Sequence, residues 1–208
     1  MIFCEIPFVR TETSRTFVNR MCMEQSVINP PYYTLARSLL EGAPVIRQGG
    51  FVVEVWGSGP DHKDLLQVKK PIWRVMTPDG AAIGYKGIEV HYESCRPGHF
   101  VLHCELFPRL GKKEKAQVMG ATALLELKGR ITRQIRKLGC DSGWERIHGA
   151  HLKRVRGDPA DPSSLIVYTF DLGLPEGHSP EQFVSKALPI IEATASTIEG
   201  VLIEAPRK

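Results

Sequence analysis

The chain has 208 residues, 42% of them hydrophobic and 24% charged, and its 27 Lys/Arg against 23 Asp/Glu leave a net charge of +4. Those are the proportions of a soluble globular protein long enough to bury a core without staples. No run approaches 18 apolar residues, which excludes a membrane helix, and the opening MIFCEIPFVRTET lacks the basic and apolar parts of a signal peptide.

In chain order, Ile2 to Val9 reads as a short strand, followed by polar residues up to the break at Pro30-Pro31. Tyr32 to Glu41 reads as a short helix, ended by Gly42 and Pro44. From Val45 to Phe107 the pattern is β. Phe51 to Trp56 and Leu65 to Met76 are strands on either side of the turn-rich Gly57-Ser-Gly-Pro60. Thr77-Pro-Asp-Gly80 is a turn, with Pro suited to its second position and Gly to its fourth. Ile83 to Glu93 and Phe100 to Phe107 complete an antiparallel meander.

A long helix is expected from Lys112 to Leu138. Leu124, Leu127, Ile131, Ile135 and Leu138 form its apolar stripe, and Gly139 suits a C-cap. Trp144 to Arg156 and Leu165 to Phe170 read as two more strands, separated by Asp158-Pro-Ala-Asp-Pro162. The last helix opens at Ser179-Pro180-Glu181-Gln182, with Ser as N-cap, Pro at the first helical position and Gln three residues after the cap. It continues towards Leu202 with Phe183, Ala187, Ile191, Ala195 and Ile198 on one face, and Pro189 is expected to kink it. Strands in a run with helices segregated after them predict an α+β fold. The expected architecture is an antiparallel meander packed against a long central helix and a C-terminal helix. One domain over residues 1–208 is expected, with 1–44 as an N-terminal appendage.

Charge is distributed unevenly. Arg109 to Arg156 holds 13 Lys/Arg and 4 acids, while the rest of the chain holds 14 and 19. A positive field confined to one segment attracts polyanions better than an even scatter of charge. At 3.6 residues per turn, Arg130, Arg133 and Lys137 lie within about one-sixth of a turn of each other, away from the Leu/Ile stripe, and Arg136 widens that face. Lys112, Lys113 and Lys115 sit at the helix start, where cations oppose the helix dipole, so helix stability does not explain them. Lys153, Arg154 and Arg156 follow on the next strand. These ten residues are the expected phosphate contacts. No zinc-finger, homeodomain or RNA-recognition signature accompanies them, so sequence-specific readout is not expected.

Two strands carry titratable groups. Glu89, His91 and Glu93 alternate with Ile88, Val90 and Tyr92; His103 and Glu105 alternate with Leu102, Cys104 and Leu106. Both apolar sets face one core only if the loop is 95–99, which places Glu89 opposite Glu105 and His91 opposite His103. Opposed carboxylates repel and need a cation or a proton between them. Glu89, His91, His103 and Glu105 are therefore candidate ligands of a divalent metal, set against a wet sheet face whose Glu and His pair weakly. A second pattern, Glu54 with Gln67-Val-Lys69, resembles the acid-then-(D/E/Q)xK hairpin of restriction-like nucleases, with Asp61 or Asp64 as other sources of the acid. There Glu54 and Gln67 would hold a metal and Lys69 would polarise the attack. A three-residue match of this kind also arises by chance in hairpins with exposed lysines. The five Cys include no CxxC pair, so free thiols in a reducing cytoplasm are expected.

The hairpin ending His103-Cys-Glu105-Leu-Phe107, the helix beginning near Lys113-Glu114-Lys115, the step Gly139…Trp144-Glu145-Arg146 and the late helix from Phe183 occur in a familiar order. Over residues 87–202 this order resembles a domain of unknown function in bacterial restriction and phage-defence proteins, often C-terminal to a restriction-like nuclease. The resemblance implies a nucleic-acid-associated accessory role and transfers no catalytic residues. The expected protein is a cytoplasmic, non-catalytic subunit of a bacterial or phage defence assembly. It would bind nucleic-acid backbone, have protein partners, make no membrane contact and need no cofactor beyond a metal in the Glu/His set. The alternatives are a metal-dependent nuclease and a structural subunit whose basic face docks an acidic protein.

Overall fold

The computed structural model of the chain describes residues 30–57, 65–76, 87–107, 119–140, 150–162 and 164–203. Across these residues the two-residue alternation of the sequence becomes one antiparallel sheet. Its seven strands are β1 (Val52–Trp56), β2 (Leu65–Lys69), β3 (Val75–Met76), β4 (Gly87–Ser94), β5 (His99–Phe107), β6 (His151–Arg156) and β7 (Ile166–Asp171). The order is β1-β2-β4-β5-β7-β6, and β3 takes up pairing with β4 where β2 leaves it. The described helices are α1 (Pro30–Gly42), α2 (Pro44–Gln48), α3 (Met119–Cys140) and α4 (Pro180–Ile203). The α+β architecture matches the expectation: an antiparallel sheet against a long helix and a C-terminal helix.

One face of the sheet is apolar because every second residue is. Ile88, Val90 and Tyr92 of β4, Phe100, Leu102, Cys104 and Leu106 of β5, and Ile166, Tyr168 and Phe170 of β7 are buried in one cluster. The helices close over it. From α4, Phe183 meets Phe100 edge-on at 5.9 Å, and Thr194 is hydrogen-bonded to the Tyr92 hydroxyl. From α3, Thr132 lies 2.7 Å from the Tyr168 hydroxyl. All five residues expected on the inner face of the last helix are buried. So are Tyr33, Ala36 and Leu40 of α1, which places that part of the expected appendage in the same core. A buried side chain of this class contributes about 1.5–3 kcal/mol, so this cluster dominates stability.

Local chemistry explains the boundaries. Ser179 and Gln182 cap α4 reciprocally, the Ser179 amide donating to Gln182 Oε1 at 2.9 Å and the Gln182 amide to Ser179 Oγ at 3.3 Å. Pro189 sits inside α4 without ending it. The expected strand from Leu65 to Met76 is interrupted, because Pro71 has no N–H to continue the ladder. A single 3-10 turn, Pro71–Trp73, stands there and buries Trp73. The helix α2 was not legible in the sequence. Gly139 is not a cap: the helix continues to Cys140. Its role is spacing, since a Cβ there would lie 2.5 Å from Leu152 Cδ2 of β6. The cysteines also depart from expectation. Cys104 is a free, buried thiol, whereas Cys95 is disulfide-bonded. The strand at Ile2 to Val9, the turn at Thr77 to Gly80, Lys112, Lys113, Lys115 and Trp144 also lie outside the described residues. Among the described residues no helix is long and apolar enough to cross a membrane.

Candidate functional site

The face of the sheet opposite the helices is built by register. Directly opposed residues of antiparallel strands project to the same side. One row across the sheet is Lys69, His91, His103, Val167 and Arg156. The next is Glu54, Gln67, Glu93, Val101, Thr169 and Arg154. Glu89 stands opposite Glu105 and His91 opposite His103, as the loop argument requires. The two candidate sets read from the sequence, the Glu/His quartet and the Glu54/Gln67/Lys69 hairpin, therefore share one face.

That face is interior at its centre. His91 and Glu93 are each 5% exposed, and His103 and Glu105 each 1%. A wet, weakly paired surface is thereby ruled out for these four. The two imidazoles stack with centroids 5.1 Å apart and planes inclined by 17°. Both direct Nε2 at one carboxylate: His91 Nε2 lies 2.9 Å from Glu93 Oε1, and His103 Nε2 lies 3.4 Å from Glu93 Oε2. Gln67 Nε2 donates to Glu93 Oε1 at 3.1 Å, and Glu89 Oε1 lies 3.6 Å from His91 Nδ1. Among the described residues, the three side chains gathered for ligation are His91, Glu93 and His103, with one ligand atom each within 4.8 Å of one another.

The electrostatics follow from that packing. Burial disfavours charge on His91, but the carboxylates of Glu93, Glu89 and Glu105 outweigh it and raise the pKa. Burial also disfavours charge on Glu93. His103 and His91, with hydrogen bonds from His91 and Gln67, outweigh it and hold the carboxyl well below its usual range.

The quartet expected from the sequence thus changes membership. His91 and His103 belong to the gathered set, and Glu93 takes the place assigned to Glu89 and Glu105. Glu93 is diagonal to His103 across the β4–β5 ladder, and diagonal neighbours are within reach of long side chains. Counting diagonals as well as direct opposites would have found it. The nuclease-like hairpin is also rearranged. Glu54 and Gln67 are directly opposed, but Glu54 accepts from Lys69 Nζ at 2.8 Å and from Trp56 Nε1 at 3.0 Å. Gln67 turns to Glu93. Glu54 and Gln67 do not converge on one point.

The basic segment is divided between layers. On α3, Arg133, Arg136 and Lys137 are exposed and make no ion pair with another described residue, while Arg130 is half-buried. Helical geometry sets Arg136 on the flank towards β6, beside Thr132 and Gly139, and Arg130, Arg133 and Lys137 on the other flank. On β6, Arg154 and Arg156 lie on the polar sheet face, and Lys153 pairs with Asp171 at 3.5 Å. Arg156 is half-buried, and burial together with neighbouring Arg154 lowers its pKa. Lys128 points inward, fully buried, and donates to the carbonyls of Asp161 and Ser164.

No protein-family model, curated protein or solved structure matches the chain.

Proposed function

We propose that the protein binds nucleic-acid backbone without reading sequence, using the outer face of α3. The observation that carries this is the group of exposed cations on α3, Arg133, Arg136 and Lys137, that no described carboxylate neutralises; the exposed Arg154 lies on the other face of the sheet. The helix dipole accounts for a cation in the last turn, which here is Lys137, but not for Arg133 about two turns from the end. Phosphates would neutralise these groups and release condensed counterions. The resemblance to defence-associated domains fits the same reading and supplies its setting: a cytoplasmic nucleoprotein assembly with further protein partners. Binding is favoured over cleavage because the only gathered acid/imidazole cluster among the described residues is buried.

Fluorescence anisotropy against single- and double-stranded DNA and RNA, over a series of salt concentrations, tests the proposal. Log affinity should fall linearly with log salt, by about 0.9 for each phosphate contacted on B-DNA. The triple variant Arg133→Glu, Arg136→Glu, Lys137→Glu should weaken binding to every sequence and flatten the slope. Absence of binding at low salt, or unchanged affinity in the triple variant, would overturn the reading. Binding that an acidic protein displaces at equal ionic strength would favour a docking subunit instead.

A further inference from the structure

We propose that His91, Glu93 and His103 form a binding site for one first-row transition-metal ion of the zinc class. Three observations meet there. The first is the donor set: two imidazoles and a carboxylate suit zinc, iron, cobalt or nickel, whereas magnesium and calcium take oxygen cages. The second is geometry. Bonds of about 2.0–2.1 Å put tetrahedral ligand atoms about 3.3–3.4 Å apart. His103 Nε2 and Glu93 Oε2 stand at 3.4 Å, and all three donors lie within 4.8 Å of one another. The stacked rings bring both Nε2 atoms to the same carboxylate from adjacent strands, so the backbone ladder fixes the donors without a loop. The third is an unsatisfied acceptor: Glu93 Oε2 is buried, its residue 5% exposed, and it accepts no hydrogen bond, with His103 Nε2 standing 3.4 Å away.

The surroundings match those of a bound ion. Metal-ligating His and carboxylate groups are held in turn by outer hydrogen-bonding partners. Here Gln67 Nε2 donates to Glu93 Oε1, while Glu89 Oε1 stands 3.6 Å from His91 Nδ1, which makes no hydrogen bond. Three protein ligands leave one coordination position for a small ligand. The site is independent of the basic surface: it lies on sheet rows β2-β4-β5, while the exposed cations of α3 belong to the helix layer.

The full chain, stripped with a chelator and dialysed, should bind one Zn²⁺ per chain in calorimetry and give tetrahedral visible absorption with Co²⁺. Glu93→Gln and His103→Gln should weaken binding at least 100-fold, and Gln67→Leu about tenfold. His151→Gln, at an exposed position, should leave it unchanged. Because buried substitutions can unfold the protein, the deciding measurement uses the wild type. Zn²⁺ should shift the ring nitrogens of two of the 7 histidines, and these should assign to His91 and His103. No stoichiometric binding, shifts at other histidines, or affinity that survives Glu93→Gln in a folded variant would each overturn the proposal.

Discussion

A single residue's charge does not announce its role. Lys128 belongs to the most basic stretch of the chain, yet its ammonium is buried against the carbonyls of Asp161 and Ser164. A buried charge is tolerated when it is hydrogen-bonded. Cys104 shows the same dependence on surroundings. Its thiol faces the helices between Leu102 and Leu106, and burial pushes its pKa up to about 12. Thiolate is the reactive form, so at pH 8 it should be nearly absent. Iodoacetamide at that pH should leave Cys104 unlabelled in the native protein and label it in denaturant, read by peptide mass spectrometry. Rapid native labelling would show that the core opens readily. At this scale the sequence was legible where alternation decided a side chain's face, as for His91 and His103. It was not legible where a long side chain reaches diagonally, as Glu93 does to His103, because alternation carries no information on reach.

At the scale of elements, caps and apolar stripes were readable and close approaches were not. Ser179 with Gln182, and the stripe from Phe183 to Ile198, mark α4 in sequence as they do in structure. Gly139 reads as a stop signal, but its effect is to let α3 settle against Leu152. Two glycine substitutions in the same helix separate these ideas. Gly129→Ala should gain close to the helix-propensity difference, about 1 kcal/mol, since the new Cβ meets the Arg133 guanidinium at an ordinary 3.6 Å. Gly139→Ala should lose stability, because overpacking costs about 1–3 kcal/mol and outweighs the same gain. Urea unfolding should show the two midpoints moving in opposite directions with the slope unchanged. A stabilised Gly139→Ala would mean that α3 does not approach β6 this closely.

Among the described residues, helices pack on one face of the sheet; the meander from β1 to β5 was legible in the sequence, whereas the placement of β6 and β7 was not. Alternation tells which side of a strand is apolar but not which strand lies next to it. That β7 pairs with β5 while β6 is outermost among the described strands is a tertiary choice. Its consequence is a gradient of protection. Amides of β4, β5 and β7 are flanked by strands on both sides and should exchange with deuterium slowest, while those of β1 and β6 should exchange sooner. Slowest exchange in β6 would contradict the order. The position of β6 gives its charges a second consequence. An outermost strand presents unpaired backbone groups to any passing chain, and natural sheets protect such edges with basic side chains and bulges. β6 has both: Lys153 and Arg154, and a register shift between Leu152 and Arg154. Neutralising them for the sake of weaker phosphate binding would also open a sticky margin, and such variants should be watched for self-association before any loss of binding is ascribed to charge.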